Sequence, residues 1–165
     1  MDTRRRFFRV GLGASLIASL SLGSVGVASG AGLHSRLSAH AASGPAKIEV
    51  QNTLAGSVIT DPRGYVLFVF PLEHGSNALC VAKKKCMTDW PAVTTVGRPI
   101  AGPGVNAALL GTIPYKGKLR QVTYDGRPLH TYKFAYSAES SVMNIGIKQF
   151  GGPWDALTVT GGLIK

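Results

Sequence analysis

The segment Asp61–Phe70 (DPRGYVLFVF) decides the fold of this chain, because a later segment, Tyr124–Tyr132 (YDGRPLHTY), repeats its pattern. Each segment has Asp and Gly in a turn, then a Leu, then ring side chains two residues apart. A tryptophan follows each segment at nearly the same distance, Trp90 in the first half and Trp154 in the second. Two landmarks held at one spacing predict two copies of one supersecondary unit, packed face to face.

The residues around these segments predict strands and hairpins. Residues 42–55 form a small-residue lead-in and a first strand from Lys47, and residues 56–165 form a single β-rich domain. Within it the pseudo-repeats cover about residues 56–95 and 107–160. The Asp125-Gly126 pair is a strong hairpin signal, because its turn needs positive φ angles that glycine adopts at little cost.

The rest of the domain predicts one short helix and two irregular stretches. Residues 81–89 favour a helix, which Pro91 would end. Residues 94–106, rich in Gly and Pro, and residues 137–149 are expected to be loops. The predicted fold is therefore all-β or β-dominated, with antiparallel hairpins in two pseudo-repeats packed as a small sandwich or barrel, and one short helix.

Residues 1–41 have the pattern of an export signal. A basic stretch, Thr3–Arg9, precedes the weakly apolar Val10–Ala31, and Ala39–Ala41 offers a small-x-small cleavage site. The arginine pair followed by x-Phe-Phe-Arg is similar to the twin-arginine motif. These features predict a periplasmic or extracellular protein that keeps no stable membrane span after cleavage. A retained anchor is the alternative, because Val10–Ala31 is long enough to cross a bilayer.

The charge balance indicates an anionic partner. The whole chain has a net charge of +10, and its first 41 residues hold five of the 18 basic and one of the eight acidic residues. The remainder therefore carries 13 − 7 = +6. This charge favours anionic envelope components, or another envelope protein, as partners. Nucleic acid is not expected, because the basic residues are scattered apart from Lys83–Lys85.

Cys80 and Cys86 are the only cysteines, which in an oxidising compartment predicts a disulfide. So short a loop is stabilised by about 2 kcal/mol in the chain-entropy model. The alternatives are a redox couple, or a zinc or copper site in which His74 and His130 join the two sulfurs. No cofactor is expected, and a covalent c-type haem is excluded because Cys-x-x-Cys-His does not occur.

Aromatic residues form the other candidate site. Phe68, Phe70 and Tyr132 recur at strand spacing, and Trp90 and Trp154 accompany them. Alternate residues of a strand share one face, so these rings predict either the core between the repeats or an exposed platform for a sugar, a quinone or a partner. The chain has no Gly-x-Ser-x-Gly elbow and no phosphate loop, and most of its few acids sit at turns, so no enzyme is predicted.

These motifs, in this order, resemble the bacterial secreted-repeat family. Its members are described as predicted lipoproteins of unknown function with a Tyr-x-(Phe/Trp/Tyr)-x-x-Asp motif. The resemblance covers about residues 56–159. This chain departs from the motif: Glu73 replaces the acid in the first copy, Ala135 stands in its place in the second, and the lipid-bearing cysteine is missing. The resemblance implies tandem repeats and export, and no established activity.

The sequence as a whole predicts an exported cell-envelope protein that acts as a non-catalytic binding or structural module. The second hypothesis is a redox or metal-handling envelope protein that uses Cys80 and Cys86. An enzyme of unknown type is the third.

Overall fold

The computed structural model describes residues 44–165, which form small sheets and two short α-helices, so the β-dominated class is confirmed. The predicted export signal over residues 1–41 lies outside the described residues. The strands are β1 (Lys47–Thr53), β2 (Gly56–Thr60), β3 (Phe68–Val69), β4 (Thr94–Thr95), β5 (Ile100–Ala101), β6 (Leu110–Pro114), β7 (Arg120–Tyr124), β8 (Arg127–Pro128), β9 (Ile147–Gln149), β10 (Gly152–Leu157) and β11 (Leu163–Ile164). The helices are α1 (Lys84–Asp89) and α2 (Ala138–Val142), and residues 107–109 form a single 3-10 turn.

The strands assemble into three sheets of a small sandwich-like fold. Their orders are β2-β1-β5, then β11-β10-β3 with β9 also paired to β10, then β4-β7-β6 with β8 also paired to β7. All strand pairs are antiparallel except β1 with β5, where Lys47 lies opposite Ile100 in a parallel pair. Antiparallel pairing therefore dominates the described sheets, as predicted.

Two turns were identified in the sequence. The second forms a hairpin between β7 and β8, whereas the first joins β2 and β3, which belong to different sheets and whose flanks meet only in a bridge between Thr60 and Val66. Between β2 and β3, the Gly64 N–H donates to the Asp61 carbonyl at 2.9 Å, and Gly64 has a φ of 85°. Between β7 and β8, Asp125 and Gly126 have φ angles of 49° and 71°, as the primed hairpin turn requires. Asp125 and both glycines adopt the left-handed region, which Gly and Asp tolerate. Asp61 does not adopt it, and its side chain instead accepts the backbone N–H groups of Arg63 and Tyr65.

The core has two parts, divided by the alternation of side chains along β3 and β10. Phe68 and Trp154 point into a cluster that also holds both cysteines, whereas Val69 and Leu157 point into an aliphatic cluster. Successive residues of a strand face opposite sides, so one pair of strands contributes to both clusters.

The structure corrects several element boundaries. The first helix covers only Lys84–Asp89, and a second helix, Ala138–Val142, lies where an irregular stretch was expected. A capping box between Ser137 and Ser140 starts that second helix, and its signal was weak because Ser stands where Glu or Gln is usual. The expected loop 94–106 contains β4 and β5. The hairpin signal at Asp125-Gly126 also predicts a returning strand over residues 129–134, but these residues contribute only bridges at His130, and the strand that returns is β8.

The backbone pairs residues that occupy matching positions in the two copies. The Phe68 N–H donates to the His130 carbonyl at 2.8 Å, and the His130 N–H donates to the Phe68 carbonyl at 2.9 Å. Ala156 lies opposite Phe68, and its counterpart Ala92 lies opposite His130. A two-fold relation between the copies would produce these pairings, and the repeat itself stays a prediction.

Candidate functional site

Five aromatic rings form a column that runs from the core to the surface. Phe70 stacks on Trp154 with centroids 4.9 Å apart, and Trp154 stacks on Trp90 at 4.0 Å with an interplanar angle of 3°. Trp90 stacks on Tyr132 at 4.1 Å, and Tyr132 meets the edge of Phe134 at 5.4 Å. Both tryptophans are fully buried, whereas Phe134 is 55% exposed. The column therefore presents its Tyr132 end to solvent.

The structure places four of the five predicted platform residues in the core and one at the surface. Phe68, Phe70, Trp90 and Trp154 belong to the buried core, and only Tyr132 is half-buried. The expected exposed platform is thus reduced to Tyr132. Strand alternation shows which rings share a face, but it does not show that the other half of the chain covers that face.

A cleft of about 340 Å³ lies beside Tyr132 and is called here the Tyr132 cleft. It is formed by the start of β1, the turn before β3, the segment after α1 and the segment around Tyr132. Its volume is within the range of small-molecule sites. The lining combines two tyrosines, an apolar segment and three cations: Tyr65, Tyr132, Pro91, Ala92, Val93, Lys47, Arg63 and Lys133.

Two of the three cations at the Tyr132 cleft already have an anionic partner. Arg63 pairs with Asp61 at 2.6 Å, and its guanidinium lies 4.9 Å from the centroid of the Tyr65 ring. Lys47 pairs with Glu49 at 2.5 Å. Lys133 makes no ion pair within residues 44–165, and its exposed ammonium lies 5.2 Å from the centroid of the Phe134 ring. Lys133 is therefore the cation available to a ligand.

A buried acid–base pair lies behind the aromatic column. The His130 Nε2 is 2.9 Å from the Glu73 Oε2, and both side chains are fully buried. The His130 Nδ1 is 3.0 Å from the Trp90 carbonyl oxygen, which only accepts, so Nδ1 carries a proton. The other imidazole nitrogen, Nε2, therefore faces the Glu73 carboxyl group. The other Glu73 oxygen accepts the backbone N–H of Cys80.

The predicted disulfide is confirmed, with Cys80 and Cys86 joined at a Cα–Cα distance of 5.3 Å. Both sulfurs are buried and bonded to each other, so neither is a thiolate ligand. His74 is exposed beside Gly126, and His130 pairs with Glu73 in the core. The structure does not bring the four expected metal ligands together. No group of three or more His, Cys, Asp or Glu side chains within residues 44–165 has the spacing of a metal site.

The sequence analysis did not predict that three polar residues are buried. Glu73 is the motif acid, and Gln121 has its amide nitrogen 3.2 Å from the His130 Nε2. Asp155 is 1% exposed, and neither of its carboxylate oxygens has a hydrogen-bond partner among the described residues. Burial raises the pKa of Asp155, and the charge of Lys165 offsets part of that shift. Acids were expected at turns, as Asp61 is, and no local pattern marks these residues as buried.

Comparisons with protein-family models, with curated proteins and with solved structures give no match to this chain. Within residues 44–165, no helix is long and apolar enough to cross a membrane. The candidate site is therefore argued from its own geometry.

Proposed function

We propose that the chain is an exported, non-catalytic binding protein whose ligand occupies the Tyr132 cleft. The observation that carries this proposal is that one cleft is lined both by a rigidly held aromatic ring, Tyr132, and by a cation available to a ligand, Lys133. Tyr132 is held by its stack on Trp90. Lys133 lines the same cleft, and its ammonium lies over the Phe134 ring without an ion pair among the described residues. A surface that is ordered before binding loses little conformational entropy when the ligand arrives.

The lining of the cleft indicates the chemical class of the ligand. Tyr65, Tyr132 and Pro91 offer apolar surface on which a ring or an aliphatic stretch can pack. The cationic rim, with Lys133 as its unpaired member, favours a carboxylate, sulfonate or phosphate group. The ligand is therefore proposed to be a small amphiphilic anion.

Two observations favour binding over catalysis. The acid–base pair of Glu73 and His130 is fully buried, so a substrate has no access to either group. In the cleft itself, the Asp61 carboxylate is occupied by Arg63 and by backbone N–H groups. The redox or metal-handling alternative is less well supported, because its two sulfurs form a buried disulfide.

The proposal that the chain is exported rests on the disulfide and on the predicted signal. A disulfide is compatible with an oxidising compartment, and the predicted signal would deliver the chain there. Membership of the secreted-repeat family is likewise a proposal, and the motifs of residues 56–159 support it.

The binding proposal is tested with the aromatic sulfonate probe anilinonaphthalene sulfonate, titrated by fluorescence against folded protein. We expect Lys133→Gln to weaken probe binding about two- to fivefold, the range of one exposed charge contact. Thr131→Phe, which adds a ring to the cleft lining, should block it. Lys148→Gln removes an exposed charge from β9 and is the matched control. Equal binding by all three variants and the parent would refute the proposed site.

A further inference from the structure

A second surface, whose cations do not line the Tyr132 cleft, lies at one end of the sheet β4-β7-β6. Arg120 begins β7, opposite Thr95 on one side and Pro114 on the other. The turn that joins β6 to β7 holds Lys116 and Lys118, and Arg98 follows the end of β4. We call these four exposed cations, Arg98, Lys116, Lys118 and Arg120, the sheet-end patch.

The sheet-end patch carries uncompensated positive charge. No Asp or Glu occurs between Pro91 and Tyr124, the stretch that builds this sheet end. None of its four cations makes an ion pair within residues 44–165. The Arg120 guanidinium is held by Thr112, through its hydroxyl at 2.6 Å and its carbonyl at 3.1 Å, which are neutral acceptors. The charge of Arg120 therefore remains available to an anion.

Apolar and aromatic groups accompany these charges. The Lys116 ammonium lies 5.3 Å from the centroid of the Tyr115 ring, and Val96 and Ile100 are 39% and 49% exposed. Basic side chains with tyrosine and aliphatic residues are the combination that proteins place at the boundary of a bilayer. The backbone also brings Gly44 here, because the Val96 N–H donates to the Gly44 carbonyl at 3.2 Å.

We infer that the sheet-end patch is a docking surface for an anionic lipid bilayer. Charge complementarity selects an anionic surface, and the flanking tyrosine and aliphatic groups favour lipid over a soluble polymer. A Lys or Arg close to an anionic leaflet strengthens binding by about fivefold. Four such residues are enough to hold the domain at the surface reversibly, while the Tyr132 cleft stays free for its ligand.

The test is sedimentation of the secreted protein, produced with its own leader, with vesicles of phosphatidylcholine containing about one third phosphatidylglycerol. The double variant Lys116→Gln/Lys118→Gln should partition about 25-fold more weakly than the parent, since two charges are lost. Lys83→Gln/Lys84→Gln removes the same charge from the other half of the domain and is the matched control. Binding to the anionic vesicles should also fall as salt is raised.

Three outcomes would overturn this inference. Equal weakening by both double variants would show that only the net charge matters. Equal binding to pure phosphatidylcholine vesicles would show that the cations are not used. Retention by immobilised polyphosphate without any binding to anionic vesicles would assign the patch to a soluble polyanion. The Tyr132 cleft is tested by other variants, so either proposal can fail alone.

Discussion

The buried carboxylate of Asp155 makes the stability of the fold depend on pH. Its carboxylate is buried on β10 with both oxygens unpartnered among the described residues, and burial raises its pKa. An unfolded Asp has a pKa of about 3.9. Below that pH the Asp155 carboxyl is neutral in both the folded and the unfolded state. The folded state then bears no cost of a buried charge, and its stability is fully present. As the pH rises through its raised folded pKa, the folded state must hold a buried charge and stability is lost.

The substitution Asp155→Asn should therefore stabilise the protein at neutral pH. A buried polar group without a partner costs about 1–3 kcal/mol, and an ionised one costs more. The amide is uncharged, so it avoids the additional cost of the charge while keeping the volume of the side chain. For a domain of this size, about 1 kcal/mol corresponds to roughly 3–5 °C in Tm.

The assay is thermal unfolding of both proteins across a pH series from neutral to acid. The Tm difference should be positive at neutral pH and should shrink toward the unfolded pKa of Asp. Glu139→Gln is the control, since it also removes one negative charge. Hydrogen bonds to its own backbone N–H and to Ser137 lower the pKa of the exposed Glu139, so its substitution should destabilise at neutral pH. A Tm difference for Asp155→Asn that is zero, negative or constant across the series would refute the argument.

Three further predictions concern the core. Replacing Cys80 and Cys86 by Ser should cost about 2 kcal/mol in denaturant unfolding, and the parent should show no free thiol by mass. Glu73→Ala and His130→Phe should each cost about 3–5 kcal/mol, because each strands a buried polar partner. The double variant should cost at least about 1 kcal/mol less than their sum, and an additive result would contradict the pairing. Trp154→Phe should lower the free energy of unfolding by at least about 1 kcal/mol in denaturant unfolding, because it replaces the indole that stacks on buried Trp90 at 4.0 Å and leaves a cavity. An unchanged free energy would contradict the stack.

The sequence predicted the elements whose signals are local. The turn at Asp125 and Gly126 was recognisable because few residues adopt positive φ angles, and it occurs as predicted. The disulfide was predictable because Cys80 and Cys86 have no other partner in the chain. In both cases the information lies within a few neighbouring residues.

Features that depend on contacts between the two halves were not predictable in the same way. Strands β4 and β5 are two residues long and exist through pairing with β7 and β1. The exposure of the aromatic residues depends on the stack of Trp90 on Trp154, which joins residues distant in the chain. For the same reason the Tyr132 cleft, assembled from four segments, had no signature in any one of them.

For the predicted repeat, the pair of Glu73 and His130 offers a reason why the two copies would depart from one motif. The Glu73 N–H donates to the Phe70 carbonyl at 2.7 Å, and in the matching position the Ala135 N–H donates to the Tyr132 carbonyl at 3.2 Å. The two positions therefore make the same backbone hydrogen bond, although one side chain is Glu and the other is Ala.

Under a two-fold relation, the contact between Glu73 and His130 corresponds to one between Ala135 and Phe68. One position then holds an acid with a base, and the other holds two buried apolar side chains. In the first pair the two polar side chains are partners of each other, and in the second neither side chain needs a hydrogen bond. A carboxylate placed opposite Phe68 would instead be buried without a hydrogen-bond partner. The second copy can have Ala135 in place of the acid, because the side chain of Phe68 has no polar group that needs a hydrogen-bond partner. The acid that remains serves the packing of the two halves, so ligand binding is to be sought at the surface end of the aromatic column.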